Sequence, residues 1–383
     1  METQIEITRM GLEGQGVGYD PEGNIYFVVG ALLGDKVRVR TQEESKKYRD
    51  AELLEVLEPS GKRVESPCRY FQQCGGCDWL QWDYSAQLLA KEEIIKHILE
   101  RGDLHPENLL PIQPAEQTLN YRNRIQVRKQ GSTVGFFKRK THQLVDIEEC
   151  KVSAPQINEA IKTLRLEPPL ASGEVTKIEL LLGKDGKVYR FENVPHSFSG
   201  FQQIHSGQNE VLRRLVAALV HKAGSKKVLE LYCGDGNLTF NYLPFVSKAW
   251  GIDASQSAIE SARIQRTSTQ AENVVFFAER VDGALLRRLP QELKDYDTLI
   301  LDPPRQGTLG ALPRFLAKTL KTIIYISCSP VTFTQDVQCL KKEFTLLSVQ
   351  PIDMFPNTRH VELISVWKKV DPILPHRSKL PLS

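Results

Sequence analysis

The chain has 383 residues, of which 41% are hydrophobic and 25% are charged, with a formal net charge of +3. These values are typical of a soluble globular protein with two or three domains. The small net charge neither requires nor excludes a nucleic-acid partner, so any basic surface must be local.

Two features of the sequence predict where the protein is located in the cell. Residues 1–6 contain acids and no apolar core, so they do not have the pattern of a signal peptide. No apolar run approaches the roughly 18–20 residues of a membrane helix. We therefore expect a cytoplasmic protein that has no membrane partner. In that reducing compartment the seven cysteines are expected to be free, catalytic or metal-bound.

Residues 1–58 have the pattern of short strands separated by glycine turns. Ile25–Val29 is rich in β-forming residues, and Val37–Arg40 alternates with a period of two. Several short strands of this kind predict a small, OB-like β-barrel. Pro59–Gly61 is expected to be a linker.

The central segment, residues 59–205, contains one clear helix and then strand-rich sequence. Apolar residues near a 3.6-residue spacing predict the helix Tyr84–Arg101. Between Tyr121 and Thr141 the chain has aromatic rings, no acid and seven cations. These cations are Arg122, Arg124, Arg128, Lys129, Lys138, Arg139 and Lys140. Cations for phosphates and rings for stacking suit single-stranded RNA, and a solvated hairpin face is the competing interpretation.

Strands and helices alternate from residue 206 to residue 370. The amphipathic helix Gln208–Lys222 comes first. We predict strands at Lys227–Leu231, Ala249–Asp253, Val274–Ala278, Thr298–Leu301 and Ile323–Ser327, helices at Gln256–Arg266 and Gly310–Leu320, and a terminal strand pair at Phe344–Val349 and Val361–Trp367. This alternation predicts a Rossmann-like α/β domain with an open, mostly parallel sheet. Residues 371–383 are expected to be a C-terminal tail.

The first strand of this domain runs into a glycine turn that favours a cofactor site. Gly234 and Gly236 allow the main chain to approach a ligand, and Asp253 at the end of the next strand can bind ribose hydroxyls. The turn lacks the third glycine of a dinucleotide motif, and Asp235 would repel a pyrophosphate. A cofactor without phosphate, such as S-adenosylmethionine, therefore suits it better. A turn that only closes a βα unit is the alternative.

Three further strand positions carry side chains suited to chemistry. Asp302 precedes two prolines that stiffen its loop, where it could orient a heterocycle, although a plain proline-rich turn is the alternative. Cys328 ends a strand beside a predicted helix start, which favours thiolate, whereas most unpaired cysteines are inert core residues. Glu362 lies in an apolar strand and is either solvent-facing or a partly buried acid with a raised pKa. His360 is a rival base or a structural neighbour.

Four cysteines have a spacing that favours a metal centre. Cys68, Cys74, Cys77 and Cys150 form a C-x5-C-x2-C set with one distant member. Four thiolates suit a [4Fe–4S] cluster or zinc. Structural zinc usually takes its ligands in two close pairs, which the interval between Cys68 and Cys74 does not provide. Four unbound thiols are the remaining alternative.

Taken in order, these motifs resemble those of the RNA uracil-5-methyltransferase family. The motifs are Phe201-Gln202-Gln203, Leu231-Tyr232-Cys233-Gly234, Asp302-Pro303-Pro304-Arg305, Ser327-Cys328-Ser329-Pro330 and His360-Val361-Glu362. Residues 1–58 resemble the TRAM RNA-binding module, and the likeness extends over the whole chain except the tail. At His205, Arg280 and Ser329 the chain departs from residues that are common in the family.

The resemblance implies an S-adenosylmethionine-dependent enzyme that methylates carbon 5 of a uridine in RNA. Cys328 would be the nucleophile that adds to carbon 6, and Glu362 would be the base. The cofactor, or its junction with the target base, would be bound by Gln203, Tyr232, Asn237, Asp253 and Asp302. The four cysteines Cys68, Cys74, Cys77 and Cys150 would hold a [4Fe–4S] cluster with a structural role.

Within the family, a TRAM-like module together with a cluster implies 23S ribosomal RNA as the substrate. We also expect the enzyme to be a monomer. A uridine in transfer RNA is an open alternative. A methyltransferase acting on an exocyclic base nitrogen is a second alternative, and it would need no thiol. A non-catalytic RNA-binding protein that keeps the fold is a third.

Overall fold

The structure is a computed structural model that describes residues 2–45, 48–171, 173–194 and 202–370. The chain divides into two compact units, each built from separate segments. The first consists of Met1–Ile98, Pro111–Leu212 and Pro351–Glu362, and the second of Leu99–Leu110, Arg213–Gln350 and Leu363–Ser383. The predicted domain boundaries after residues 58 and 205 stay predictions, and the predicted tail lies outside the described residues.

The first unit begins with a closed five-stranded barrel, which confirms the architecture predicted for residues 1–58. Its strands are β1 (Glu2–Met10), β2 (Gly16–Tyr19), β3 (Ile25–Val28), β4 (Lys36–Glu44) and β5 (Arg49–Glu58). They pair in the order β1-β2-β3-β5-β4. Alternate side chains of β1, such as Ile5 and Ile7, are buried with Val37 and Val39 of β4 in a core of their own. The period-two pattern therefore becomes an inside and an outside face.

The rest of the first unit contains a long helix and a five-stranded sheet. The next elements in chain order are α1 (Tyr84–Arg101), β6 (Asn108–Leu109), β7 (Arg124–Gln130), β8 (Thr133–Phe137), β9 (Leu144–Asp146), α2 (Pro155–Leu166), β10 (Thr176–Leu182) and β11 (Val188–Glu192). Strands β7 to β11 form a sheet of order β11-β10-β7-β8-β9, whereas β6 belongs to the second unit. Helix α2 buries Ile157, Ile161 and Leu164 in the same core as Val127 and Ile178 of this sheet.

The second unit contains an eight-stranded sheet, which includes the seven strands predicted between residues 227 and 367 and adds β6, which was not predicted. The remaining elements are α3 (Ser206–Lys222), β12 (Lys227–Leu231), α4 (Thr239–Tyr242), β13 (Lys248–Asp253), α5 (Gln256–Ser268), β14 (Val274–Ala278), α6 (Leu285–Arg288), β15 (Thr298–Leu301), β16 (Thr322–Ser327), α7 (Pro330–Asp336), β17 (Phe344–Ile352) and β18 (Glu362–Lys369). The strand order is β14-β13-β12-β15-β16-β18-β17-β6. Strands β12 to β16 pair in parallel, and β18 is antiparallel to β16.

The helix predicted over residues 310–320 is wrong. Only Leu312–Phe315 is helical, as a single short 3-10 turn. Pro313 lacks the N–H that a helix interior requires, and Gly310 has a φ of 75°, outside the helical region. Leu312 and Phe315 are fully buried, so the apolar spacing belongs to a packed loop. The other predicted elements of this unit occur with ends that differ by three residues or fewer.

No helix in the part of the chain that the structure describes combines the length and the apolar character needed to cross a membrane.

Candidate active site

The second unit has a point at which the strand order of its sheet reverses. Strand β12 pairs with β13 on one side and with β15 on the other, so that Leu231 lies opposite both Ile252 and Leu301. The loops after these three strands therefore leave the same edge of the sheet. In open α/β sheets ligands bind in the crevice at such a point. Tyr232 and Asp302 are the first residues beyond the paired strand ends.

The glycine turn after β12 is tied to the end of β13. Tyr232 has a φ of 64°, a left-handed conformation that non-glycine residues rarely adopt, and Gly234 has a φ of 55°. The N–H of Gly234 donates to Oδ2 of Asp253 at 3.0 Å, and the N–H of Ser255 donates to Oδ1 at 2.8 Å. A Cβ at Gly234 would meet no atom within 4 Å, so open space lies beside the turn. Asp253 is thus oriented at the edge of that space.

Two acids near this turn hold their protons more tightly than usual. Burial and the negative charge of Asp253 raise the pKa of Asp302 to about 7. Burial also raises the pKa of Glu230, in β12, to about 7. Glu230 is 1% exposed, and its Oε2 accepts hydrogen bonds from Thr239 Oγ1 at 2.6 Å and Tyr242 OH at 2.7 Å. Sequence reasoning missed Glu230, although an acid inside the apolar run of residues 228–231 was a signal that could have indicated it.

Cys328 lies in a tight turn directly after β16 and is half-buried. Ser327 Oγ accepts a hydrogen bond from the N–H of Ser329 at 3.1 Å, and it donates one to the carbonyl of Ser329 at 3.1 Å. Helix α7 begins two residues later, at Pro330, so a helix does start beside Cys328 as expected. The thiol is therefore carried by a braced turn on the same edge of the sheet as Asp302.

Helix α7 also joins this turn to the loop that follows Asp302. Thr332 Oγ1 lies 2.8 Å from Ser329 Oγ and donates to the carbonyl of Arg305 at 3.0 Å. At the other end of α7, Oδ2 of Asp336 accepts hydrogen bonds from the N–H of Thr308 at 2.7 Å and the hydroxyl of Tyr325 at 2.6 Å. The loop bearing Asp302 and the turn bearing Cys328 are thus held together by side chains of one short helix.

Glu362 is the first residue of β18 and is 2% exposed, so its side chain is buried and does not face solvent. The next residue, Leu363, pairs with Ser327, and Cys328 follows Ser327 in the chain. His360 is half-buried, and its ring lies 5.8 Å from the ring of Phe355 in an edge-on contact.

The remaining predicted cofactor residues lie in different environments. Gln203, in the first unit, is 8% exposed, and its carbonyl accepts a hydrogen bond from Asn123 Nδ2 at 2.9 Å. Asn237 is half-buried directly after Gly236 in the turn of the second unit. Phe201, which belongs to the same motif as Gln203, lies outside the described residues.

The three departures from the family pattern also have defined surroundings. His205 stacks on Tyr121, and its Nε2 lies 2.9 Å from the carbonyl of Gln117, while burial lowers its pKa and favours the neutral ring. Arg280 has a side chain that is 83% exposed. Ser329 bonds to Thr332 as described above. His205 and Ser329 therefore have structural contacts in this chain, and Arg280 faces solvent.

The basic segment between Tyr121 and Thr141 is only partly available to a ligand. Arg124 pairs with Glu179 at 2.7 Å, and Arg139 pairs with Asp78. Lys129 is buried and donates to the carbonyl of Leu164 at 3.1 Å. The exposed cations of the segment include Lys138 and Lys140. The structure therefore leaves fewer cations of this segment available to bind RNA than the seven that the sequence indicated.

The four cysteines Cys68, Cys74, Cys77 and Cys150 lie close enough for their charges to interact. Burial, followed by the charges of Cys150 and Cys68, raises the pKa of Cys74 to about 11. Burial and the same neighbours also raise the pKa of Cys77. None of the chain's cysteines, all of which are described, is in a disulfide. Within the described residues, however, no group of three or more histidine, cysteine or acidic side chains is arranged to hold a metal ion. The structure thus gives the predicted cluster no direct support.

Comparisons with known proteins agree on one family. A family model described as tRNA (uracil-5-)-methyltransferase matches residues 174–370. An uncharacterised RNA methyltransferase of Nitrosomonas europaea is 30% identical over 391 residues, covering 96% of this chain and 97% of the relative. The 23S rRNA (uracil(1939)-C(5))-methyltransferase RlmD of Xanthomonas axonopodis pv. citri is 28% identical over 432 residues, covering 96% and 97% respectively.

One solved structure shares the fold over nearly the whole chain. It is the tRNA (uracil-54, C5)-methyltransferase of Pyrococcus abyssi in complex with S-adenosyl-L-homocysteine. The match has a TM-score of 0.70 and 24% sequence identity, and it covers 96% of this chain and 100% of the Pyrococcus chain.

Proposed function

Because this chain belongs to the tRNA (uracil-5-)-methyltransferase family, we propose that it methylates carbon 5 of a uridine in 23S ribosomal RNA, with S-adenosylmethionine as the methyl donor and Cys328 as a covalent nucleophile. The chain is an enzyme of the RNA (uracil-5-)-methyltransferase class. The observation that carries the proposal is the placement of Cys328, Asp302 and the glycine turn on one edge of the parallel sheet.

The residues at the glycine turn fit S-adenosylmethionine. Open space beside Gly234 allows a ligand to approach the main chain, and Asp253 has its carboxylate oriented there by two N–H groups. The repulsion between Asp302 and Asp253 would be relieved by a positively charged ligand group. When bound, S-adenosylmethionine supplies an electrophilic methyl group on a positively charged sulfur. We propose that Gln203, Tyr232 and Asn237 also contact it.

The proposed chemistry overcomes the weak nucleophilicity of carbon 5 in uracil. The thiolate of Cys328 adds to carbon 6, and the electron pair moves into the ring to give an enolate. Carbon 5 of that enolate then takes the methyl group. Glu362 removes the remaining proton from carbon 5, and elimination breaks the bond between sulfur and carbon 6, which regenerates Cys328. Covalent catalysis of this kind divides one difficult step into two easier ones.

The proposed attack on carbon 6 determines how the target uridine must be presented, and the related proteins bear on which class of RNA contains it. Attack on carbon 6 requires access to the ring edge, so the uridine must be flipped out or single-stranded. The relative from Xanthomonas is named as a 23S rRNA enzyme, and its alignment covers 96% of this chain. The family description and the Pyrococcus enzyme name transfer RNA instead. Mapping of 5-methyluridine in both RNA classes, from cells with and without the gene, separates the two substrates.

The covalent step is tested with RNA that carries 5-fluorouridine at the mapped position. Fluorine cannot leave as a proton, so the elimination stalls, and we expect an adduct that survives denaturing electrophoresis. Cys328→Ala should form no adduct. Cys339→Ala is the matched control, because this half-buried cysteine follows α7 and bonds to the carbonyl of Asp336. Adduct formation by Cys328→Ala, or its absence from unaltered protein active on ordinary RNA, would refute the covalent step.

We also propose that Cys68, Cys74, Cys77 and Cys150 hold a [4Fe–4S] cluster with a structural role. The proposal is supported by the sequence spacing and by the proximity of the thiols, since the charge of Cys150 adds to burial in raising the pKa of Cys68, Cys74 and Cys77. It requires the thiols to converge and lose their protons when iron is bound. Anaerobically purified protein should be brown and contain about four irons per chain. Colourless protein, or protein loaded with zinc, would contradict it.

A further inference from the structure

The structure points to one additional RNA-contacting element, the loop Pro304–Gly310. We propose that this loop is a rigid finger whose Leu309 side chain packs against a nucleotide next to the target uridine. The inference rests on the proposed function, since it takes RNA as the substrate of the Cys328 site.

The main chain of the finger is strained. Gly307, Leu309 and Gly310 have φ values of 70°, 50° and 75°, all in the left-handed region. Glycine enters this region without cost, whereas leucine does so rarely and only when its surroundings hold it there. Strained residues of this kind cluster at functional sites, where the conformation serves a purpose.

Contacts on the inner side of the finger explain how the strain is maintained. Asp336 accepts a hydrogen bond from the N–H of Thr308 at 2.7 Å, and Thr332 donates one to the carbonyl of Arg305 at 3.0 Å. Gly307 packs so closely against α7 that a Cβ would lie 2.3 Å from Oδ2 of Asp336. The finger is therefore fixed on both sides of residue 307.

The outer side of the finger presents Leu309 to solvent. Thr308 is 2% exposed, whereas the adjacent Leu309 is 77% exposed. A single exposed leucine on a relaxed surface is ordinary. Here the leucine is held outward by a strained main chain and directly follows two buried residues, Gly307 and Thr308, so its exposure is fixed by the conformation of the loop.

RNA is the partner that fits this surface. Arg305 is the only ionisable residue of the finger, and it is exposed, which suits a phosphate. The finger begins two residues after Asp302, and Thr332 connects it to the turn of Cys328. Removing a base from its stack leaves a neighbouring base face uncovered, and proteins that unstack nucleic acids cover such faces with apolar side chains.

The test compares Leu309 variants in RNA binding and turnover. Leu309→Asn is the main variant, because asparagine tolerates a positive φ and removes only the apolar contact. We expect its dissociation constant for substrate RNA and its KM for RNA to rise about tenfold, as for loss of one base contact. The dissociation constant for S-adenosylhomocysteine and the melting temperature should not change. Leu309→Met keeps an apolar side chain at this position and should bind RNA as tightly as the unaltered protein does.

Leu166→Ala is the control, since Leu166 is 88% exposed at the end of α2, remote in sequence from the finger. It should bind RNA as unaltered protein does. RNA affinity and KM within twofold of the unaltered protein for Leu309→Asn would overturn the inference while leaving the proposed function intact. Absence of methyl transfer by the unaltered protein on every RNA would instead count against the proposed function.

Discussion

The main-chain N–H of Gly234 donates a hydrogen bond to Oδ2 of Asp253 at 3.0 Å. This bond joins the turn after β12 to the end of β13, across the point where the strand order reverses. Because Ser255 binds the other oxygen, Asp253 has a fixed orientation before any ligand arrives. A preorganised acceptor loses little conformational entropy on binding, which favours affinity.

Asp253→Ala should therefore weaken the binding of S-adenosylhomocysteine by about 10–100-fold, the usual range for losing a charge-assisted hydrogen bond. Isothermal titration calorimetry measures the change. Asp253→Asn keeps an acceptor for Gly234 and should give an intermediate value. Asp295→Ala is the control, because Asp295 pairs with Lys227 at the opposite end of β12. Equal affinities for Asp253→Ala and Asp295→Ala would remove Asp253 from the cofactor site.

Glu362→Gln should slow the release of product more than the attack of Cys328. Glu362 is buried, so few water molecules can replace it as the acceptor of the carbon 5 proton. With ordinary RNA we expect a covalent intermediate to accumulate, while adduct formation with 5-fluorouridine RNA stays within about threefold of the unaltered rate. Quenched-flow gels report both rates. Parallel loss of adduct formation and turnover would contradict the assignment of Glu362 as the base.

Much of the second unit could be predicted from sequence, because strand periodicity and the positions of Gly234, Asp302 and Cys328 follow from local patterns. The contacts made by Glu230 could not be predicted, since they depend on the fold bringing Thr239 and Tyr242 of α4 against the side chain of Glu230 in β12. The false helix over residues 310–320 has a different cause. Its apolar residues are buried by tertiary packing, which periodicity alone does not distinguish from a helix face, whereas Pro313 was a local signal against a helix.

Stability should depend on pH through Glu230. Its pKa is raised from 4.5 to about 7 on folding, so the folded chain binds this proton more tightly than the unfolded chain. The free energy of unfolding therefore falls as pH rises from about 4.5 to about 7, then levels off. The full shift corresponds to roughly 3 kcal/mol. Glu230→Gln removes this contribution and retains an oxygen that can accept both hydroxyl bonds, so it should be more stable than the unaltered chain at pH 8.

Urea unfolding at intervals between pH 5 and pH 8 measures this effect in ligand-free protein. Burial and Asp253 also raise the pKa of Asp302, which adds a slope of the same sign to both proteins. The relevant quantity is thus the difference between the two curves, which should widen with pH. Curves that stay parallel over the whole interval would show that Glu230 does not titrate there.

The link between the Cys328 turn and the Asp302 loop should control the rate of attack. Thr332 bridges Ser329 Oγ and the carbonyl of Arg305, so Thr332→Val removes both hydrogen bonds with little change in volume. We expect kcat to fall by about 3–10-fold, in the range of roughly 0.5–1.5 kcal/mol for the loss of a net hydrogen bond. Since Asp253 and Gly234 are not involved, the KM for S-adenosylmethionine should change less than about twofold. Thr332→Ser retains the hydroxyl and should restore kcat.

A merely structural role for Thr332 would have different consequences. In that case Thr332→Val would lower the melting temperature and the cofactor affinity together. Thr332→Ser would show part of the same loss, because serine lacks the methyl group. Positioning instead predicts that Thr332→Val slows adduct formation with 5-fluorouridine RNA while melting and S-adenosylhomocysteine binding are unchanged. If adduct formation keeps its rate in Thr332→Val, Thr332 does not position the Cys328 turn against the Asp302 loop.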